Sequence, residues 1–234
     1  MEALKKYFDL LNIPCDKTQY SQFKEYMDLL LCMNRSINLT AIKERDEFIL
    51  KHYVDSSIIY NLAEYGAAEN ILDLGTGGGF PGIPLAILSP EKKFMLADSL
   101  SKRLKIVLEI SKKIGLCNIE VVHGRAEDLG NAPDYREKFD LCVSRAVANL
   151  SVLSEYCLPF VRQYGYFIAY KSGEFSEELK GAEKAIKVLK GELSHVKTFN
   201  IAENARSLVI IEKTGKTPKG YPRQAGKPNK SPIK

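Results

Sequence analysis

The stretch with the most specific chemistry is Asp73-Leu74-Gly75-Thr76-Gly77-Gly78-Gly79-Phe80, which continues the short apolar run beginning at Asn70. Glycines in such a turn permit positive φ and let the backbone come close to a ligand at the carboxyl edge of a sheet. A dinucleotide fingerprint, GxGxxG, started at Gly75 needs its third glycine at position 80, where Phe80 stands. Started one residue later it needs glycine at 76, where Thr76 stands. The pattern that remains is GxGxG at Gly75, Gly77 and Gly79, preceded by an acid at Asp73. A second acid, Asp98, ends the next apolar run, 23 residues after Gly75. That spacing suits a carboxylate accepting hydrogen bonds from two ribose hydroxyls. Taken singly, either acid reads as a strand-end cap. Flanking a glycine turn in this order, the pair reads as a binding site.

This arrangement resembles the first motif of class I S-adenosylmethionine (SAM)-dependent methyltransferases. The likeness implies that Asp73 sits near the methionine end of that cofactor and that the three glycines lie against its main chain. Phe80 has two readings, core packing or a backbone contact to cofactor. After a third strand, Gly124-Arg125-Ala126-Glu127 stands where an adenine ring would lie. A backbone N–H of Ala126 or Glu127 and the Glu127 carboxylate can read the adenine edge there; the plainer reading of Glu127 is a cap or a surface ion pair. Arg145, in Ser144-Arg145-Ala146 after a fourth strand, and Lys171, at the end of a fifth, are candidates to face substrate phosphates or the cofactor carboxylate. Their alternative is a surface ion pair with Asp140 or Glu174. Lys102 and Arg103 open a helix, where cations oppose the helix dipole and call for a reason such as phosphate contact.

Other chemistries find little support. The five cysteines are scattered without a CxxC pair, and the three histidines lie far apart, so neither a disulfide framework nor a metal site is expected. The fourth strand lacks the Asp/Asn-Pro-Pro-aromatic motif of DNA amino-methylating enzymes. Pro14-Cys15, the one Pro-Cys pair, lies far upstream of the site, which argues against covalent activation of a carbon by a cysteine. The net charge of +5 is unevenly placed: seven Lys or Arg and no acids lie from Lys213 onward, which leaves the preceding 212 residues at about −2. A basic edge of this kind suggests a polyanionic partner, with Lys219, Arg223 and Lys227 as phosphate-binding candidates beside Lys102 and Arg103.

The elements that must position these residues alternate strand and helix. Short strands at 70–74, 93–97, 119–122, 139–143 and 164–170 are followed by helices at 81–88, 101–114, 149–157 and 174–190, and imply an α/β fold with a mostly parallel sheet. Two β-rich stretches, 192–200 and 207–212, have no room for a helix between them and should form a hairpin that reverses the last strand. Helical periodicity covers 2–12, 16–33 and 44–65, with Asn34, Ser36 and Asn38 as turn formers and Gly66 as the last helix's C-cap. Three regions are therefore expected: a helical prelude at 1–66, an α/β domain at 67–213, and an extended Pro/Lys-rich tail at 214–234. No apolar run is long enough to span a membrane, and the first residues lack the pattern of a signal peptide, so a cytoplasmic protein is expected.

Several runs together carry a closer likeness. Asn38-Leu39-Thr40-Ala41-Ile42, His52-Tyr53-Val54-Asp55-Ser56, Leu72 to Ala86, Asp98-Ser99-Leu100-x-Lys102-Arg103 and Ser144-Arg145-Ala146 resemble the bacterial 16S ribosomal RNA guanine-N7 methyltransferases, formerly glucose-inhibited division protein B. The likeness runs from about residue 20 to 213, and Tyr221-Pro222-Arg223-x-x-Gly226-x-Pro228 extends it into the tail. It implies a Rossmann-like, seven-stranded class I fold with the last strand antiparallel. It also implies SAM contacts at Gly75, Phe80, Ala126, Glu127 and Arg145, with Asp98 near the ribose. The partner implied is 16S rRNA or the small ribosomal subunit; a monomer is the default expectation, on which the sequence itself is silent. One departure is Lys171-Ser172, where relatives commonly carry Lys-Gly.

Overall fold

The computed structural model describes residues 1–34, 37–145, 147–172, 175–201 and 204–233. Ser36, Ala146 and Glu174, each singled out above, lie outside the described residues. The sheet has seven strands in the order β3-β2-β1-β4-β5-β7-β6. These are β1 (Asn70–Leu74), β2 (Lys93–Asp98), β3 (Ile119–His123), β4 (Phe139–Arg145), β5 (Val161–Ser172), β6 (Gly191–Ile201) and β7 (Asn204–Lys213). The first five run parallel, while β7 is antiparallel to both β5 and β6, as the closely spaced final pair predicts. The crossover helices are α6 (Gly82–Leu88), α7 (Ser101–Lys113), the short α8 (Ala126–Leu129), α9 (Leu150–Cys157) and α10 (Ser176–Val188).

Side chains alternate across the strands, so Ile71 and Leu72 enter opposite layers. One layer packs under α9 and α10 through Leu72, Cys142, Phe167, Leu153 and Ile186. The other is shared with the N-terminal helices α1 (Glu2–Leu10) and α2 (Lys17–Met33), whose Phe8, Phe23 and Tyr26 join Ile71, Leu141 and Ile168 in one cluster. Burying side chains of this size contributes about 1.5–3 kcal/mol each. The prelude is therefore built into the core. Asp16 starts α2 with a reciprocal capping box to Gln19, both bonds 2.8 Å.

The third helical stretch departs from expectation. It begins as α3 (Arg45–Phe48), widens into a π-helical turn (Ile49–Val54), resumes as α4 (Asp55–Ser57), breaks, and closes with α5 (Ala63–Ala67). Gly66 lies inside α5 instead of capping it; the cap is Ala68 in extended geometry. The π turn carries His52, and Asp55 follows directly on it; both face the carboxyl edge of the sheet.

The tail also differs from an extended arm. Thr217, Pro222 and Pro228 are buried, and α11 (Lys227–Lys230) forms a last turn of helix. Composition alone reads Pro and Lys as solvated chain. Here the segment instead presents carbonyls that Arg136 and Asn131 capture, described below.

Candidate functional site

Strand order reverses between β1 and β4, and the cleft at that switch point is where open α/β sheets bind ligands. The glycine turn leaves β1 with its Gly75 and Thr76 amides on the Ala97 carbonyl of β2 (2.8 and 3.1 Å). Gly75, Gly77 and Gly79 all take positive φ, at 78°, 57° and 88°. A cleft of about 410 Å³ opens beside the turn, lined by Gly75, Gly77, Asp98, Leu100, Ala126 and Glu127 among others. A Cβ on Gly77 would meet nothing within 4 Å, so its backbone is bare toward a ligand, whereas one on Gly75 would collide with Val147. Asp98 accepts from the Gly77 amide through one oxygen and from the Leu100 amide through the other, each at 2.9 Å. Bare backbone, apolar walls at Leu74, Ala97 and Leu100, an acid at the end of β2 and Glu127 at the far end form a donor set that fits an adenosyl cofactor.

Three residues expected at the cofactor sit behind the turn. The Asp73 side chain is fully buried and lies outside the cleft wall; its Oδ2 accepts from Thr76 Oγ1 (2.7 Å) and the Gly82 amide (2.8 Å). Gly79 packs against Tyr26 and Ile83, where any side chain would clash. The Phe80 ring stacks on His52, with centroids 4.2 Å apart and planes at 4°, and meets Phe48 edge-on. Of its two sequence readings, packing describes the Phe80 side chain. The reason is the prelude: α2 and the π turn present an aromatic wall that covers this side of the loop, with the Tyr26 hydroxyl donating to the Gly78 carbonyl at 2.8 Å.

Burial pushes Asp73 up to about 6, against the pull of its bonds from Thr76 and Gly82, and its Oδ1 has no partner among the described residues. The folded state therefore binds more protons than the unfolded chain between roughly pH 4 and 6, and this group's contribution to stability falls as pH rises through that window. His52 runs the other way: burial, then Arg145 and Lys51, hold it down at about 3, so its contribution is lost as pH falls below about 6.5. Asp73→Asn removes the first effect alone. Its stability relative to wild type, from urea titrations without cofactor, is expected to rise by on the order of 2 kcal/mol between pH 4 and 7. A pH-independent difference would show that the buried carboxylate ionises without penalty.

A second cleft of about 440 Å³ adjoins the first across β4 and β5, and Arg145 lines both. Arg145 donates to Asp55 Oδ2 and the Lys51 carbonyl at 2.8 Å each and to His52 Nδ1 at 3.1 Å. A guanidinium only donates, so His52 Nδ1 is the acceptor and its Nε2–H is given to Thr40 Oγ1 at 2.7 Å. Arg206 on β7 holds the other oxygen of Asp55 at 2.6 Å. Lys171 pairs with Glu178 and donates to the Ala148 carbonyl at 3.1 Å. The ion-pair partners are thus Asp55 and Glu178; Asp140 is taken by Arg162. Thr40, His52, Asp55, Glu178 and Arg206 were not picked out as site residues. His52 and Asp55, three apart on one helical face, offered a local signal, while Arg206 and Glu178 offered none.

The phosphate candidates divide. Lys102, Lys219 and Lys227 are exposed, whereas Arg103 lines the first cleft. Arg223 turns inward onto Glu155, which is 1% exposed, through Nε (2.9 Å) and a second nitrogen (2.6 Å). Two of the three guanidinium nitrogens of Arg223 are thereby committed to a buried carboxylate. Lys213, counted in the basic tail, is fully buried, its ammonium on Thr217, Glu137 and two carbonyls.

Comparison with known proteins agrees with this geometry. The O-methyltransferase TomG from Streptomyces achromogenes, solved in complex with SAM, aligns with 89% of this chain and 95% of its own at TM-score 0.56 and 16% identity. A ribosomal protein L11 methylase from Lactobacillus delbrueckii subsp. bulgaricus aligns with 70% of this chain and 79% of its own at TM-score 0.53 and 18% identity. These likenesses establish the class I methyltransferase fold. Proteins named ribosomal RNA small subunit methyltransferase G from Clostridium novyi (45% identical, all of both chains) and Clostridium tetani (46%, 98% of this chain and all of the other) are similar over their full lengths. The model of the GidB family, rRNA small subunit methyltransferase G, matches residues 19–209. A cleft at the switch point whose lining fits an adenosyl cofactor, a family match across most of the chain and full-length relatives together place this protein in the rRNA small subunit methyltransferase G family.

Proposed function

We propose that this protein transfers a methyl group from SAM to N7 of a guanine in 16S ribosomal RNA. The observation that carries the reading is the junction at Arg145, where a cleft fitted to an adenosyl cofactor meets one lined by Lys51, Arg145, Lys171 and Arg206. Arg145 and Arg206 share the charge of Asp55 and Lys171 takes that of Glu178, so the lining of this cleft keeps a net positive charge that suits a polyanion backbone, and Lys102, Lys219 and Lys227 extend positive charge over the surface. Bound SAM supplies an activated methyl on a sulfonium.

The protein's own work is orientation. Guanine N7 carries an in-plane lone pair and loses no proton before attack, so no general base is required. The residues at the junction agree with that requirement. His52 is neutral, with both ring nitrogens engaged, and Cys142 and Cys157 are buried beneath the sheet, away from either cleft. Asp98 and the bare Gly77 backbone hold the cofactor side, and Arg145, fixed by Asp55 and His52, sets the substrate side against it. Holding donor and acceptor in line at about 3–3.5 Å is the main source of rate in such a reaction. On this reading the protein acts as a monomer in the cytoplasm; among the described residues no helix is long and apolar enough to cross a membrane.

The test is methyl transfer from tritiated SAM to small-subunit rRNA taken from cells lacking the gene, followed by nucleoside analysis. Wild type is expected to label 7-methylguanosine, and Gly75→Asp, which fills the turn at a position with φ 78°, is expected to label none. Label in another nucleoside overturns the N7 assignment. Tight SAM binding with no RNA product would point to a small molecule or protein as substrate.

A further inference from the structure

The basic tail, read from its composition as an RNA arm, folds back and reaches the cofactor cleft at Glu127. Arg136 gathers it by donating to the Tyr221 carbonyl (2.7 Å) and the Thr217 carbonyl (3.0 Å), and to Gly130 at the end of α8 (2.9 Å). Asn131 bridges the carbonyls of Glu127 and Pro222, both at 2.9 Å. The Pro222 ring then rests against Gly130 so closely that an added Cβ would lie 3.0 Å away. Arg223 locks onto Glu155 with its side chain and also its backbone amide (2.8 Å). Three residues later the Gly226 amide donates to Glu127 Oε1 at 2.7 Å. Glu127 is 4% exposed and lines the cleft, and Tyr156, the neighbour of Glu155 on α9, lines it too.

We propose that residues 213–233 form a strap that positions the adenine end of the cofactor cleft, with Arg223 and Gly226 as positioning residues acting through Glu127. This rests on the reading that the first cleft holds SAM with Glu127 at the adenine edge. A carboxylate with one oxygen fixed by a backbone amide has its rotamer chosen before the ligand arrives, so less freedom is lost on binding. The free oxygen then presents a fixed acceptor toward the exocyclic amine of adenine. Adenine and hypoxanthine differ at that position, one bearing an amine and the other a carbonyl, so the strap sets base selectivity as well as affinity. The geometry of Gly226 serves the contact: its φ of 82° turns the amide onto Glu127 as the chain enters α11.

Full-length variants test this by calorimetry with S-adenosylhomocysteine and S-inosylhomocysteine, beside steady-state kinetics with SAM and rRNA. Glu127→Ala comes first: it is expected to weaken adenosyl binding at least tenfold and to erase the preference over the inosyl analogue. No change there sinks the adenine reading of Glu127 itself, whatever the strap does. Given that loss, Arg223→Ala is expected to raise the Kd for S-adenosylhomocysteine and the KM for SAM about tenfold, with kcat at saturating SAM kept within about twofold. Arg223→Lys should recover most of the affinity, and Arg223→Ala should add little in the Glu127→Ala background. Gly226→Ala, which disturbs the amide while leaving the Arg223–Glu155 pair in place, should move affinity in the same direction and guards against a folding defect in the first variant. Unchanged adenosyl affinity and selectivity in both strap variants overturns the proposal. So does a rise in the KM for rRNA without one for SAM, which would make the tail an RNA arm.

Discussion

Arg145→Ala is expected to lower the single-turnover rate of methyl transfer at saturating SAM by about a hundredfold or more, and Arg145→Lys is expected not to restore it. The loss follows from what one guanidinium holds together. Its contacts reach Asp55 on α4, the Lys51 carbonyl and His52 on the π turn, while its Cζ lies 5.5 Å from the Phe80 ring centroid. It thereby ties the helical prelude to the end of β4 at the line where the two clefts meet. Misplacing donor and acceptor by about 1 Å costs on the order of a hundredfold in rate, and nothing else among the described residues spans both clefts in this way. Lysine keeps the charge but cannot donate along three directions in one plane. The fold should weaken as well, because Asp55, 4% exposed, would keep only Arg206. Removing one partner of a buried pair costs about 3–5 kcal/mol; with Arg145 15% exposed, the low end of that range applies. Measuring the rate at a temperature well below the variant's unfolding midpoint separates the two effects. A rate within threefold of wild type would show that the junction is scaffolding alone.

What the sequence discloses and what it hides divide along one physical line. Strand and helix alternation and the reversed final strand are encoded within windows of a few residues, and they appear where the periodicity puts them. The glycine turn is legible for the same reason, since positive φ at Gly75 and Gly77 is a property of the turn itself. Pairings across long stretches of chain are not. Arg145 meets Asp55 across 90 residues, and Arg223 meets Glu155 across 68. No local pattern distinguishes a cation waiting for phosphate from one already matched to a buried acid. Phe80 illustrates the same limit: the glycine motif places its backbone in the turn, but says nothing of its ring's partner, His52, brought in by a π-helical turn that helical periodicity reads as ordinary helix. The tail misleads for a different reason. Proline and glycine discourage regular structure, yet unpaired backbone carbonyls are good acceptors, and Arg136 supplies the donors from elsewhere in the fold.

Asp98→Ala is expected to weaken SAM binding about a hundredfold while leaving the protein folded. The carboxylate has two tasks. It accepts the Gly77 and Leu100 amides, which fixes the glycine turn against the loop after β2. Being 9% exposed on the cleft wall, it also has lone pairs left for the ribose hydroxyls. A hydrogen bond to a charged group contributes roughly 1.5–3 kcal/mol, so losing two corresponds to at least about a hundredfold in Kd. A general slackening of the turn would mimic that loss, and a ligand that lacks one of the hydroxyls separates the causes. For wild type, S-adenosylhomocysteine is expected to bind at least tenfold more tightly than its 2′-deoxy counterpart; for Asp98→Ala the two should bind alike, because the acceptor that distinguishes them is gone. Asp98→Asn, which keeps one acceptor oxygen, should fall between. If Asp98→Ala loses affinity yet still prefers the ribose form by the full factor, then Asp98 organises the turn and some other group reads the sugar. The backbone around Gly77 would be the place to look, since a Cβ there would meet nothing within 4 Å and its peptide groups stand bare toward a ligand.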